Sequence, residues 1–221
     1  MRTKTLLLTA ALSAAGIATS MAQVYSVNAV GYVNTTLLPG FNLVSNPLDN
    51  KAGNTIANLF GNGIQGTVPD GLVVYYYDSA TDNFVTAIYT FGIFEPPNAA
   101  SQVIPVGEGA FVFNPGTGNL TNTFVGEVAQ GTASNQALPA GFSIKASTVP
   151  VAGTATELEL PAQPGDVIYK WDAVADSYVP FLADPFGGGW APSPNIAVGE
   201  AFFLFKNAAG TWTRDFDVNN P

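Results

Sequence analysis

One stretch occurs twice, and it limits the fold more than anything else in the chain. Val106-Gly107-Glu108-Gly109-Ala110-Phe111-Val112-Phe113 is matched, 92 positions later, by Val198-Gly199-Glu200-Ala201-Phe202-Phe203-Leu204-Phe205. Each copy is a Gly-Glu turn running into a string of apolar and aromatic residues, the pattern of a buried strand entered through a tight bend. A chain carrying this element twice is predicted to be one β-module laid down in tandem. Gly107, Glu108, Gly199 and Glu200 are the residues that define the repeat.

Other segments keep a similar spacing. Leu37-Leu38-Pro39-Gly40 leads into Phe41-Asn42-Leu43-Val44-Ser45, and Leu138-Pro139-Ala140-Gly141 into Phe142-Ser143-Ile144-Lys145, with Phe41 and Phe142 offset by 101. Alternation turns Phe41, Leu43, Phe142 and Ile144 inward and sends Ser143 and Lys145 to water. A hairpin follows at an offset of 94: Val73, Tyr75 and Tyr77 share one face before a turn at 78–83, as Val167, Tyr169 and Trp171 do before a turn at 172–177. Pro180 in the second return strand lacks an N–H and places that strand at a sheet edge. The offset shrinks from 101 to 94 to 92, so the second copy has lost residues only in connections, where sheets tolerate loss. Asn54 capping 55–60 with Gly61 as terminator predicts one short helix, with Ile56, Leu59 and Phe60 on its buried face. The matching 154–160 carry Glu157 and Glu159 and make a poorer helix. Opening strands at 23–34 and closing strands at 119–128 and 211–218 complete the pattern.

Residues 1–22 read as a signal peptide: Arg2 and Lys4, a short Leu/Ala-rich run, then Ser20-Met21-Ala22. No stretch reaches the ~18 apolar residues of a spanning helix, so no membrane insertion is expected once the leader is removed. The modules then fall at 23–128 and 129–221, joined by a polar stretch at 130–136. The expected fold is all-β: two tandem β-sandwiches or partly closed barrels related by a pseudo-twofold, with at most one short helix each. The expected location is exported: extracellular, cell-surface or periplasmic.

Composition removes whole classes of chemistry. The chain has no His and no Cys, so Ser-His-Asp and Cys-His machinery is excluded, as are the usual zinc and copper ligand sets. Without Cys, stability comes from packing rather than disulfides. The full chain carries a net charge of −9; without Arg2 and Lys4, five basic residues face 16 acidic ones, a net of −11. Nucleic acid is repelled by such a surface. No cofactor is expected.

Three candidate chemistries remain. Glu108 and Glu200 are the carboxylates that could serve a glycosidase, against the simpler reading that a turn Glu bonds backbone amides. Asp78/Asp82 and Asp172/Asp176 could bind calcium, but they lack the full loop pattern and fit structural turns. Tyr76, Tyr89, Phe94, Trp190 and Trp212 could form a sugar-stacking platform, against the reading that strand aromatics are core. Phe94 and Trp190, in Gly/Pro-rich loops, are the candidate ligand-binding aromatics.

The L-P-x-G-F-x-[IL] element, the Val-x-Tyr-x-[Tyr/Trp]-Asp hairpin and the Gly-Glu-x-x-Phe strand resemble those of exported tandem-repeat β-proteins of verrucomicrobial and planctomycete-type environmental bacteria. A looser similarity is to G-W-N-L-I-S-type surface repeats, with Phe in place of Trp. The resemblance implies export and an all-β repeat, and it brings no catalytic residues. The sequence therefore predicts a secreted or cell-surface structural or interaction protein without enzymatic activity, partnered by itself through strand edges. A carbohydrate-binding module with an extracellular glycan partner is the alternative, and a carboxylate glycoside hydrolase the second.

Overall fold

The computed structural model describes residues 29–219. The expected leader at 1–22 and the first part of the opening strand, including Tyr25 and Val27, lie outside them.

Two larger sheets dominate. The first contains β2 (Gly40–Ser45), β4 (Val73–Asp78), β5 (Asn83–Thr90), β6 (Ile93–Glu95) and β7 (Gly109–Asn114), in the spatial order β2-β7-β4-β5-β6. The second contains β10 (Gly141–Ala146), β12 (Val167–Asp172), β13 (Ser177–Leu182) and β15 (Ala201–Lys206), in the order β10-β15-β12-β13. All neighbours are antiparallel. The registers correspond: Phe41 opposes Phe113 and Phe113 opposes Val73, as Phe142 opposes Phe205 and Phe205 opposes Val167. The hairpins agree too, with Val73 opposite Ile88 and Val167 opposite Leu182.

Shorter pieces cover these sheets. β1 (Val30–Leu37) and β3 (Leu48–Asp49) flank β8 (Leu120–Val128) in a three-stranded layer that closes a core around Leu37, Phe60, Val74, Val112 and Phe124. In the second half, β9 (Gln136–Leu138) pairs β16 (Gly210–Trp212), and β11 (Gly153–Thr154) pairs β14 (Asn195–Ile196). Their core gathers Leu158, Ile168, Phe202, Leu204 and Trp212. Helix is confined to short turns such as Ala57–Gly61 and Pro97–Ala100, and none of the sheets among the described residues closes on itself. The protein is all-β.

The first of those turns buries Leu59 and Phe60, with Ile56 beside them, as their spacing predicts. Its cap differs from the expected one. Asn54 Oδ1 accepts the Asn50 N–H (2.9 Å) instead, and Thr55 Oγ1 accepts the Asn58 N–H (3.2 Å). Residues 155–159 form turns rather than a helix, held by Glu157 accepting from the Thr154 N–H and hydroxyl. Asp78 and Asp172 do head Asx turns, Asp78 accepting the Ala80 N–H and Asp172 those of Ala175 and Val174, which hold both carboxyls below the usual range.

The facing assigned to β10 is overturned. Ser143 and Lys145 are buried at 2% and 4% exposure, while Phe142 is 46% exposed. Alternation sorts a strand's side chains into two sets, but it marks one set as wet only when a single face is covered. Here one face of β10 meets its own core and the other meets the opposite sheet.

Candidate functional site

The outward faces of the two sheets meet at a seam. On the first sheet this face carries Phe41, Leu43, Tyr75, Tyr77, Phe84 and Phe111; the register-matched residues of the second are Phe142, Ile144, Tyr169, Trp171, Tyr178 and Phe203. Aromatic side chains on four neighbouring strands make each face nearly continuous. Leu43, Phe111, Ile144, Ala146 and Ala201 are buried where the faces touch.

The ring contacts across the seam are reciprocal. Phe111 packs edge-on against Trp171 with centroids 5.4 Å apart, and Phe203 packs edge-on against Tyr77 at the same separation. Such pairs add about 0.5–1.5 kcal/mol beyond the area they bury. The backbone repeats the exchange: the Ser45 N–H donates to Gly199 O, and the Ala146 N–H donates to Gly107 O, both at 2.9 Å. Gly107 and Gly199 have φ of +87° and +78°, so the bend that presents each carbonyl favours glycine. Trp171 adds a bond from its ring N–H to Phe41 O (2.8 Å).

The two Gly-Glu turns therefore sit at the seam, and their carboxylates are engaged there. Glu108 accepts from the Tyr76 hydroxyl (2.7 Å) and from Lys145 Nζ (2.9 Å). Burial first, and the Glu108 carboxylate second, raise the Tyr76 phenol well above its ordinary value. Glu200 pairs with Lys170 (2.9 Å) and accepts the Ala197 N–H (2.8 Å). Lys170 occupies the register position of Tyr76.

Two clefts open beside these contacts. One, of about 390 Å³, is lined by Tyr77, Phe142, Tyr169, Tyr178 and Phe203. The other, of about 400 Å³, is lined by Phe41, Tyr75, Phe84, Phe111, Trp171 and Tyr178. Apart from the shared Tyr178, the second set is the first set transposed residue for residue through the common register. Every lining residue is Phe, Tyr or Trp. Both volumes fall in the range of small-molecule sites.

No protein-family model, curated protein or solved structure matches this chain.

The loop aromatics singled out from sequence lie elsewhere. Phe94 and Trp190 are each only 5% exposed. Phe94 lies in β6, which folds back onto β5 and packs the ring on Tyr89; the Trp190 ring N–H donates to Leu160 O (2.9 Å) inside the second core. Neither ring offers a stacking surface, because each sits at the point where its connection pairs with a neighbouring strand, Phe94 opposite Tyr89 and Trp190 opposite Ala183. Tyr76 and Trp212 are buried as well. Among the described residues the most exposed rings are Phe91 and Phe186, 94% and 95% exposed at turn tips, followed by Tyr32 at 73%. Among the described residues no cluster of three carboxylates could hold a metal ion. Asp82 takes the Tyr77 hydroxyl, and this bond, more than burial, pushes the phenol up to about 12.

The cleft residues themselves had a signal in the sequence. Val73, Tyr75, Tyr77 and Val167, Tyr169, Trp171 are visibly one-faced. What alternation does not say is that these faces meet each other and leave gaps.

Proposed function

We propose that the chain is a non-catalytic, exported binding protein made of one β-module copied once, its halves related by a pseudo-twofold and its working surface the aromatic clefts between them. The observation that carries this is the recurrence of one five-residue lining, once on each side of the seam. A lining of rings alone suits a ligand that is mostly apolar. It suits a free sugar less well, since its many hydroxyls would lose water for few partners beyond the tyrosine hydroxyls. Acid–base catalysis has no support in these clefts, because no carboxylate lines them and Glu108 and Glu200 are held in seam contacts.

The test is a titration with a neutral apolar dye such as N-phenylnaphthylamine. Saturable fluorescence enhancement is expected, weakened several-fold by Tyr169→Ala and Tyr75→Ala together. A linear response, or a saturable one indifferent to both substitutions, overturns the reading.

Self-assembly through strand edges is the second reading, favoured by one observation. β13 carries a strand ladder along one side only, its other edge receiving the Ala191 N–H at Leu182 O (3.3 Å), whereas β5 in the first sheet is paired by β6 over three residues. An open edge is a template for another strand. Pro180 removes one N–H from that edge, which places this reading behind the first. A strictly monomeric protein in size-exclusion chromatography and electron microscopy removes it.

A further inference from the structure

The two clefts share a lining but not a shape. In the cleft of the second sheet, four rings close a circuit. Centroid separations are 6.1 Å from Phe142 to Tyr169, 6.3 Å to Tyr178, 6.0 Å to Phe203 and 6.4 Å back to Phe142. Successive ring planes turn by 43°, 82°, 69° and 86°, so three of the four corners are near those of a box. Sides of that length keep the middle of the circuit within reach of the ~6 Å over which a cation is attracted to a ring face. Tyr77 backs Phe203, and its hydroxyl donates to the Asp82 carboxylate, which adds electron density to that ring. In the other cleft, Phe111, Trp171 and Tyr178 contact one another in a triangle at 5.4, 6.3 and 4.9 Å, leaving no comparable centre.

We propose that the four-ring box binds a small free quaternary ammonium compound of the choline class, one per chain. This rests on the clefts being binding sites and names the ligand. A trimethylammonium group has no N–H to satisfy and holds water weakly, so walls made chiefly of ring faces suit it, whereas a primary amine needs an acceptor for each of its N–H groups. The charge agrees. No Lys or Arg lines the cleft, and the chain as a whole carries −9, which draws organic cations and repels anions.

The experiment is isothermal titration of the full mature protein with choline and, in parallel, with the neutral alcohol in which carbon replaces the ammonium nitrogen. Choline is expected to saturate at one site, about tenfold or more tighter than the neutral isostere. Tyr178→Leu, at a half-exposed ring, is expected to weaken choline about tenfold, while Phe186→Leu, at an exposed turn tip outside both clefts, leaves it unchanged. Equal binding of choline and its isostere overturns the cation box but leaves the apolar site standing. So does a failure of choline to bind when the apolar dye still does. If neither choline nor the dye binds, both readings fall.

Discussion

The first and second sheets share strand order and register, yet they fill one buried position in opposite ways. In the second half, Lys206 Nζ and the Asp166 carboxylate form a fully buried ion pair, and Asp166 also accepts from the N–H groups of Gln163 and Asn207. In the first half, Asn114 stands at the register position of Lys206, and Leu72 at that of Asp166. Asn114 Nδ2 donates to Gly118 O (2.9 Å) and Leu37 O (3.2 Å), and Leu72 is simply core. The same frame is thus closed by a neutral amide and a hydrocarbon in one place and by two charges in the other. Register is set by strand pairing and apolar rows; the polar filling only has to satisfy itself.

The sharpest way to break this comparison is to strand one charge. Asp166→Ala leaves the Lys206 ammonium buried without its partner and is expected to cost about 3–5 kcal/mol in urea unfolding. Asp166→Leu combined with Lys206→Asn installs the filling of the first half and is expected to recover most of that loss. A double variant no better than the single one would show that the two sites are not interchangeable.

A smaller effect is expected at the seam. Gly109 and Ala201 occupy matching register positions, and a Cβ added to Gly109 would lie 2.3 Å from Ala201 Cβ and 2.8 Å from Val44 O. Gly109→Ala should cost about 1–3 kcal/mol by overpacking, and adding Ala201→Gly should restore much of it. Thermal unfolding of the two variants decides. If the exchange fails to compensate, the seam is less reciprocal than its ring contacts indicate.

Lys145 and Val44 form the third contrast, since they occupy matching positions but only Lys145 meets a carboxylate. Lys145→Met should cost about 1.5–3 kcal/mol, the range for a hydrogen bond to a charged group, and leave Glu108 with Tyr76 alone. The smallest effect is expected in alkaline titration followed by tyrosinate absorbance. Tyr77 should ionise near 12, and Tyr76 and Tyr178 above the ordinary phenol range, Tyr178 because of its burial. A phenol raised on folding contributes stability fully below its unfolded value of about 10, and that contribution fades as pH climbs through the folded value. Asp82→Asn should bring Tyr77 back down.

Much of the frame was legible in the residues. The hairpin registers follow from Val73-x-Tyr75-x-Tyr77 and its second copy, and Pro180 does lie on β13, the outer strand of its sheet. Ile56, Leu59 and Phe60 turn inward as their spacing requires. The rest depends on what covers each face. Ser143 and Lys145 stand opposite Leu204 and Phe202 on the face that turns to the second half's own core, while Phe142 and Ile144 on the other face meet the opposing half, so neither face is left wet. Phe94 and Trp190 looked like loop rings because nothing local reveals that a Gly/Pro-rich connection folds back into pairing. The clefts were hardest to foresee, since a gap belongs to two surfaces and no single stretch of sequence encodes it.

The one-methyl difference between Gly109 and Ala201 has a consequence for what kind of molecule can own this seam. Two identical subunits meeting here would have to bring Ala against Ala, which collides, or Gly against Gly, which leaves a hole. A single polypeptide holding both surfaces escapes that bind, because each side can mutate without its counterpart changing in step.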